Sequence, residues 1–167
     1  MESEIRRARE GDLARLREIE RAAGQVFADV GLAEIAAHEP PSEEVLRRHL
    51  DGIWTWGDPP IAYIFTEPVD GCLHIEQVSV HPDHARQGIG RALIEHVARL
   101  AGTAVTLTTF ADVPWNGPYY ERLGFRPLLD EELTGGLKEI RRVETERGLD
   151  IRPRIAMRRE AAGPSPA

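Results

Sequence analysis

The stretch HARQGIGRALIEHVARL, residues 84–100, sets two glycines, Gly88 and Gly90, between Arg86 and Arg91. Residues of these types do one kind of chemistry well. Glycine lets a ligand come close to the main chain. Backbone N–H groups at a helix N-terminus bind phosphates with help from the helix dipole, and guanidinium groups add charge-assisted bonds. A pyrophosphate is the natural guest. Two familiar phosphate loops do not fit: a dinucleotide fingerprint needs glycine where Leu93 stands, and a P-loop needs Gly-Lys-Ser/Thr at the helix start. A glycine turn before a helix can also be mere tight packing, so the spacing alone leaves both readings open.

Such a turn works only between a strand and a helix. CLHIEQVSV before it reads as a strand, and after it Ile89, Leu93, Val97 and Leu100 form one apolar stripe that Gly102 ends. In the strand, Leu73 and Ile75 share one face and Val78 and Val80 share another, out of phase by one residue. An inserted residue at Glu76 or Gln77 restores the phase, which is the mark of a β-bulge; a strand buried on both faces would break the alternation too.

The rest of the chain supplies the other elements. An edge strand is expected around Ser3–Arg9. A helix with Leu13, Leu16, Ile19, Ala23 and Phe27 follows, with Asp12 as its N-cap. Gly24–Pro41 reads as a loop with a helical piece near Leu32–Ala37, and Ser42 caps a second helix. IWTW and IAYIFTE are strands, as are AVTLTTF, FRPL and RIAMRR. YYERL is a short helix started by Pro118 and stopped by Gly124. Residues 130–150 are charged and helical, broken near Gly135–Gly136. The order predicts one α/β domain over residues 1–160, with a mixed sheet of about six to seven strands flanked by helices and a frayed tail at 161–167.

Bulk properties narrow the class. The chain has 167 residues, 41% of them hydrophobic and 29% charged, enough for one packed core. No apolar run approaches the ~20 residues of a membrane helix, so no membrane partner is expected. The net charge of −7 argues against nucleic acid as a partner. The single cysteine, Cys72, and a charged N-terminal segment point to the cytoplasm.

VSVHPDHARQGIGRALI resembles the coenzyme A signature of the GNAT superfamily of N-acetyltransferases: a strand, a loop of the form Gln/Arg-x-x-Gly-x-Gly/Ala, then a long helix. WNGPYYERLGFRP resembles that family's second signature, a short helix with an aromatic-Tyr-Glu-x-Leu-Gly-Phe core. Both occur in the family's order, about one strand apart, and the layout matches up to about Arg159. One departure is Ala85, which stands where the loop pattern has Gln or Arg. That loses a side-chain contact but leaves the main-chain cradle. The charged segment Asp130–Asp150 is a second departure, longer than a simple hairpin, with room to pack near the acceptor or at a dimer contact.

The resemblance implies a mostly antiparallel sheet, bulged and splayed at the cofactor strand, and acetyl transfer from acetyl-coenzyme A to a primary amine of a small molecule or peptide. The cradle would be Arg86, Gln87, Gly88, Ile89, Gly90 and Arg91. Main-chain groups of Val78, Ser79 and Val80 would pair with the amide-rich pantetheine arm, and an amide near Val78 could polarise the thioester carbonyl. An amine with a pKa near ~10.4 arrives protonated, so a carboxylate must take its proton. Glu76 is the candidate, against the plain reading of an outward strand residue paired with a cation. Tyr120 matches the family's tyrosine and would protonate the leaving thiolate, against a tyrosine that only packs; Tyr119 is the one expected to pack. Asn116 either caps the helix or bonds the pantetheine.

Other candidates rank lower. Cys72 lacks a histidine beside it in sequence and reads as a buried, inert thiol. His81 and His84 have metal-like spacing without a convincing further ligand, so no metal is expected. Trp54 and Trp56 read as core or pocket wall, and Trp115 as the tryptophan most suited to touch substrate. Glu34, His38 and Glu39 lie in the segment that builds the acceptor pocket in this family; its acidic residues would favour a cationic amine, against the equal alternative that they face solvent. Lys138–Arg159 allows a homodimer interface, with a solvated helix as the default. A longer acyl group, a hydroxyl acceptor, or a coenzyme A-binding regulatory module without turnover are the alternative functions.

Overall fold

The computed structural model describes residues 4–162. The expected strand start at Ser3 and the end of the tail lie outside them. The elements are β1 (Ile5–Arg7), α1 (Leu13–Gly24), α2 (Ala33–Ala36), α3 (Glu43–Arg48), β2 (Ile53–Trp56), β3 (Ala62–Val69), β4 (Cys72–Val80), α4 (Ile89–Ala101), β5 (Val105–Phe110), α5 (Gly117–Arg122), β6 (Arg126–Pro127), α6 (Gly135–Glu146) and β7 (Arg154–Arg159). The strands form a seven-stranded sheet in the order β1-β2-β3-β4-β5-β7-β6. β4 and β5 run parallel, while β1–β2, β2–β3, β5–β7 and β6–β7 are antiparallel. The expected class, α/β with a mixed, mostly antiparallel sheet, is the one observed.

Contacts divide the chain into two compact units, Met1–Thr66 with Gln77–His96, and Glu67–Glu76 with Val97–Ala167. In the first, Leu13, Leu16 and Ile19 of α1 pack with Leu46, Ile53, Tyr63 and Phe65. Full burial of each aliphatic side chain contributes about 1.5–3 kcal/mol. Ser42 caps α3 as expected, accepting the Val45 N–H at 3.2 Å. Asp12 does not cap α1. Its carboxylate turns back, accepting the Arg9 N–H at 2.8 Å and two bonds from Arg6 at 2.8 and 3.1 Å. A 3-10 turn at Glu10–Asp12 leaves Asp12 in helical backbone, away from the extended conformation a cap needs.

In the second unit β5 aligns with β7 over all six of its residues, from Val105↔Arg159 to Phe110↔Arg154. Against β4 the ladder is short: among the described residues it covers Leu73↔Val105 and His74↔Thr106 only. Strict alternation also fails on β4, where His74 and Ile75 are both buried and Gln77 and Val78 are both half-buried.

Two expectations for helices are corrected. Gly135 and Gly136 do not break a helix; they begin α6, capped by Thr134. The Gly136 N–H donates to Asp70 Oδ2 at 2.8 Å, and a Cβ there would lie 2.6 Å from that oxygen and from Val69 Cγ1. The glycine serves close approach. On α4, Ile89, Leu93 and Val97 are buried as expected, with Ile94 fully buried beside them, but Leu100, in the last turn, is 60% exposed.

Candidate active site

The glycine turn follows β4 directly. The His81 N–H donates to the Ile61 carbonyl at 2.9 Å, and a 3-10 turn at Pro82–His84 swings the chain round. Arg86 and Gly88 then both adopt left-handed backbone, at φ +65 and +77. Alternation of left-handed and ordinary residues directs successive N–H groups to one side, the geometry of an anion nest. Ala85 to Gly88 are exposed, and Ile89 anchors the helix start in the core. Among the described residues no backbone carbonyl outside α4 takes the N–H groups of Gln87 to Arg91, and the first N–H groups of a helix find none within it. These amides fit a pyrophosphate.

Arg86 is the non-glycine residue of that turn with positive φ, and the conformation costs a side chain about 1 kcal/mol. Arg86→Gly is therefore expected to stabilise the protein by about 1 kcal/mol in denaturant unfolding, and Arg86→Ala to leave stability near wild type, because alanine keeps the strain. Both remove the guanidinium, so any loss of coenzyme A affinity shared by the two measures its charge.

In the second unit a polar layer runs across one face of the sheet. Cys72, His74 and Glu76 alternate onto it from β4. Thr106 and Thr108 of β5 continue it, and the β7 register adds Arg158 and Arg154. His74 is 1% exposed, and its Nδ1 lies 2.8 Å from Thr106 Oγ1. Its Nε2 lies 4.0 Å from Glu76 Oε1. Glu144 of α6 accepts from Thr108 Oγ1, from Arg154 at 3.0 Å and from Arg141 at 2.8 Å.

The electrostatics follow from these neighbours. Glu76 keeps 31% of its side chain open to water. Burial of the rest, the hydrogen-bonded Glu67 carboxyl and the charge of Glu144 push its carboxyl up to about 8. Burial also works to raise Glu144, but Arg154, Thr108 and Arg141 outweigh it and hold that carboxyl below its usual range. Burial lowers His74 against the pull of Glu67 and Glu144, which favours the neutral ring.

α5 carries the aromatic pair. A Cβ at Gly117 would lie 2.6 Å from the Ala111 carbonyl oxygen, so glycine lets the helix begin hard against the chain leaving β5. Tyr120 is 9% exposed, its ring packed edge-on against Tyr119 at 5.2 Å and Phe125 at 5.8 Å. Among the described residues its hydroxyl has no hydrogen-bond partner, and the oxygen is not one of the fully enclosed unpaired polar atoms. Burial, aided by Tyr119, holds the phenol well above its usual range, so it remains a proton donor. Asn116 does not cap α5: its Nδ2 donates to the Trp115 carbonyl at 3.0 Å. At φ −117, ψ −110 it lacks the extended backbone that turns a capping side chain inward.

Other sequence candidates are now placed. Glu39 pairs with Arg21 at 2.8 Å and with Arg17 at 3.5 Å, and 69% of its side chain is exposed. Glu34 and His38 are exposed. Trp56 is buried and Trp115 is 37% exposed. Cys72 is half-buried, with Arg158 Nη1 at 3.5 Å from its sulfur. The sequence reading missed Glu67, His74, Thr106 and Glu144. Strand parity with Glu76 carries a signal for His74. For Glu144 there is none, since its approach depends on how α6 packs.

Residues 13–125 match the model of the GNAT acetyltransferase family. The fold is shared with solved structures. The PaiA N-acetyltransferase of Thermoplasma acidophilum, solved with coenzyme A, aligns with TM-score 0.66 at 14% identity, over 94% of this chain and 98% of that one. The ribosomal-protein-S18-alanine N-acetyltransferase of Escherichia coli aligns with TM-score 0.63 at 22% identity, over 98% and 97%. The N-acetylglutamate synthase of Neisseria gonorrhoeae, solved with coenzyme A and N-acetyl-glutamate, aligns with TM-score 0.67 at 17% identity over 95% of this chain, which spans 35% of that one. The chain belongs to the GNAT acetyltransferase family, whose reaction is acetyl transfer from acetyl-coenzyme A to an amine.

Proposed function

We propose that this protein acetylates a primary amine, on a small molecule or a peptide, by direct attack on acetyl-coenzyme A in a ternary complex. The amides of Arg86, Gln87, Gly88, Ile89, Gly90 and Arg91 hold the pyrophosphate. Main-chain groups of Val78, Ser79 and Val80 take the pantetheine arm, with Asn116 a further polar contact, and the Val78 amide polarises the thioester carbonyl. Glu76 removes a proton from the ammonium group. The neutral nitrogen attacks the carbonyl carbon, the carbon–sulfur bond breaks, and the leaving thiolate takes the Tyr120 hydroxyl proton, which water restores.

The observation that carries this reading is the Tyr120 hydroxyl: a buried ring, a phenol held in its protonated form, and no acceptor for it among the described residues. The structural neighbours solved with coenzyme A support the cosubstrate. No helix among the described residues is long and apolar enough to cross a membrane. The single cysteine supports a cytoplasmic setting. Many of the charges of α6 are spent on each other, as in Arg142 with Glu139 and Glu146, which supports a solvated helix over a homodimer contact. Calorimetric titration with acetyl-coenzyme A and coenzyme A tests the first step: micromolar binding is expected, and no binding to either overturns the reading. Thiol release across a panel of amines then identifies the acceptor.

A further inference from the structure

Resting on the reading of Glu76 as the base, we propose that His74 is a positioning residue that makes Glu76 usable as one, by holding an Nε2–H dipole toward its carboxylate, with Thr106 fixing the tautomer. Glu76 must become an anion beside another carboxyl. Glu67 of β3 is hydrogen-bonded to it, and Glu144 of α6 adds a further negative charge. Arg154 and Arg141 pair with Glu144 at 3.0 and 2.8 Å, and among the described residues no arginine forms an ion pair with Glu76 itself. Arg158 is turned to Glu160 and Cys72. The imidazole of His74 also lies against Glu76, with Nε2 at 4.0 Å from Oε1.

The tautomer follows from the partners. His74 is 1% exposed and Thr106 is 2% exposed. A neutral imidazole has one N–H and one bare nitrogen. If Nδ1 carried the proton, the bare Nε2 lone pair would lie against a carboxylate oxygen at 4.0 Å, a repulsive arrangement. If Nε2 carries it, the N–H lies on the side of the ring nearer the anion, and Nδ1 accepts the Thr106 hydroxyl proton across 2.8 Å. The parallel register, His74↔Thr106, places that hydroxyl. At 4.0 Å the Nε2–H is an oriented dipole rather than a formed hydrogen bond. It favours the Glu76 anion over the acid and so opposes Glu67.

The test is the pH profile of kcat/KM for the acceptor, read with imidazole nitrogen NMR. In the wild type, NMR should show His74 as the neutral Nε2–H tautomer; the Nδ1–H tautomer overturns the proposal. His74→Phe should move the acid limb upward by about one pH unit, a tenfold loss at low pH, with the acetyl-coenzyme A KM unchanged. His74→Gln, which can return an N–H near the Nε2 position, should bring the limb back. Thr106→Val leaves His74 in place and should shift the limb the same way while mixing the tautomers. A limb unmoved in folded His74→Phe and Thr106→Val proteins overturns the proposal. Failure of the parent reading looks different: Glu76→Gln would then keep wild-type activity and pH profile whatever His74 does.

Discussion

Tyr120→Phe is expected to lower kcat by about a hundredfold or more, the usual worth of a positioned general acid, while the affinity for acetyl-coenzyme A stays within about twofold. The substitution removes one oxygen and keeps the ring, so the packing on Phe125 and Tyr119 survives. The hydroxyl bonds to nothing among the described residues, so its removal strands no protein partner and stability should hold. Steady-state kinetics beside calorimetric binding decides the matter. Equal losses in kcat and in affinity would mean the tyrosine shapes the pocket and does not move the proton. Retained kcat would return it to a packing role.

Glu76→Gln should cost about 10²–10⁴-fold in kcat/KM, with a distinctive pH signature. A base works in its deprotonated form. With the Glu76 carboxyl pushed up to about 8, wild-type kcat/KM should rise tenfold per pH unit below about 8 and flatten above it, and this limb should vanish in the variant. Stability should run the other way. A carboxyl raised in the folded state favours folding while it is protonated and loses that contribution as pH rises from its ordinary 4.5 toward about 8. The wild-type unfolding midpoint should therefore fall relative to Glu76→Gln across that window. An unchanged rate profile would remove Glu76 from the chemistry, and parallel stability curves would remove the carboxyl repulsion.

The elements were legible wherever local rules decide them. Ser42 as a cap, the seven strands and the turn at Gly88 follow from neighbours in sequence. An expectation failed where a side chain had a stronger offer. Asp12 took Arg6 and the Arg9 N–H over its own helix. Gly136 reads as a helix breaker until Asp70 and Val69 are seen against it. Glu76 and Tyr120 rest on a family resemblance, and what their surroundings add is the direction in which each group's protonation is pushed. The layer around Glu76 was invisible because it is assembled from β3, β4, β5, β7 and α6, whose register no short stretch encodes.

The brief ladder between β4 and β5 has a consequence for the lifetime of the protein. A parallel pair aligned at two positions is a short ladder, and main-chain donors and acceptors beyond any such ladder need another partner, from water or from a guest. A cosubstrate whose amide arm supplies that partner counts as part of the fold. A ligand that binds the folded form alone adds RT ln(1 + [L]/Kd), about 2.7 kcal/mol at a hundredfold excess over Kd. The supply of acetyl-coenzyme A would then set how long each molecule survives as well as how fast it turns over. Starved of its acyl donor, the cell would lose the enzyme to proteolysis along with its rate.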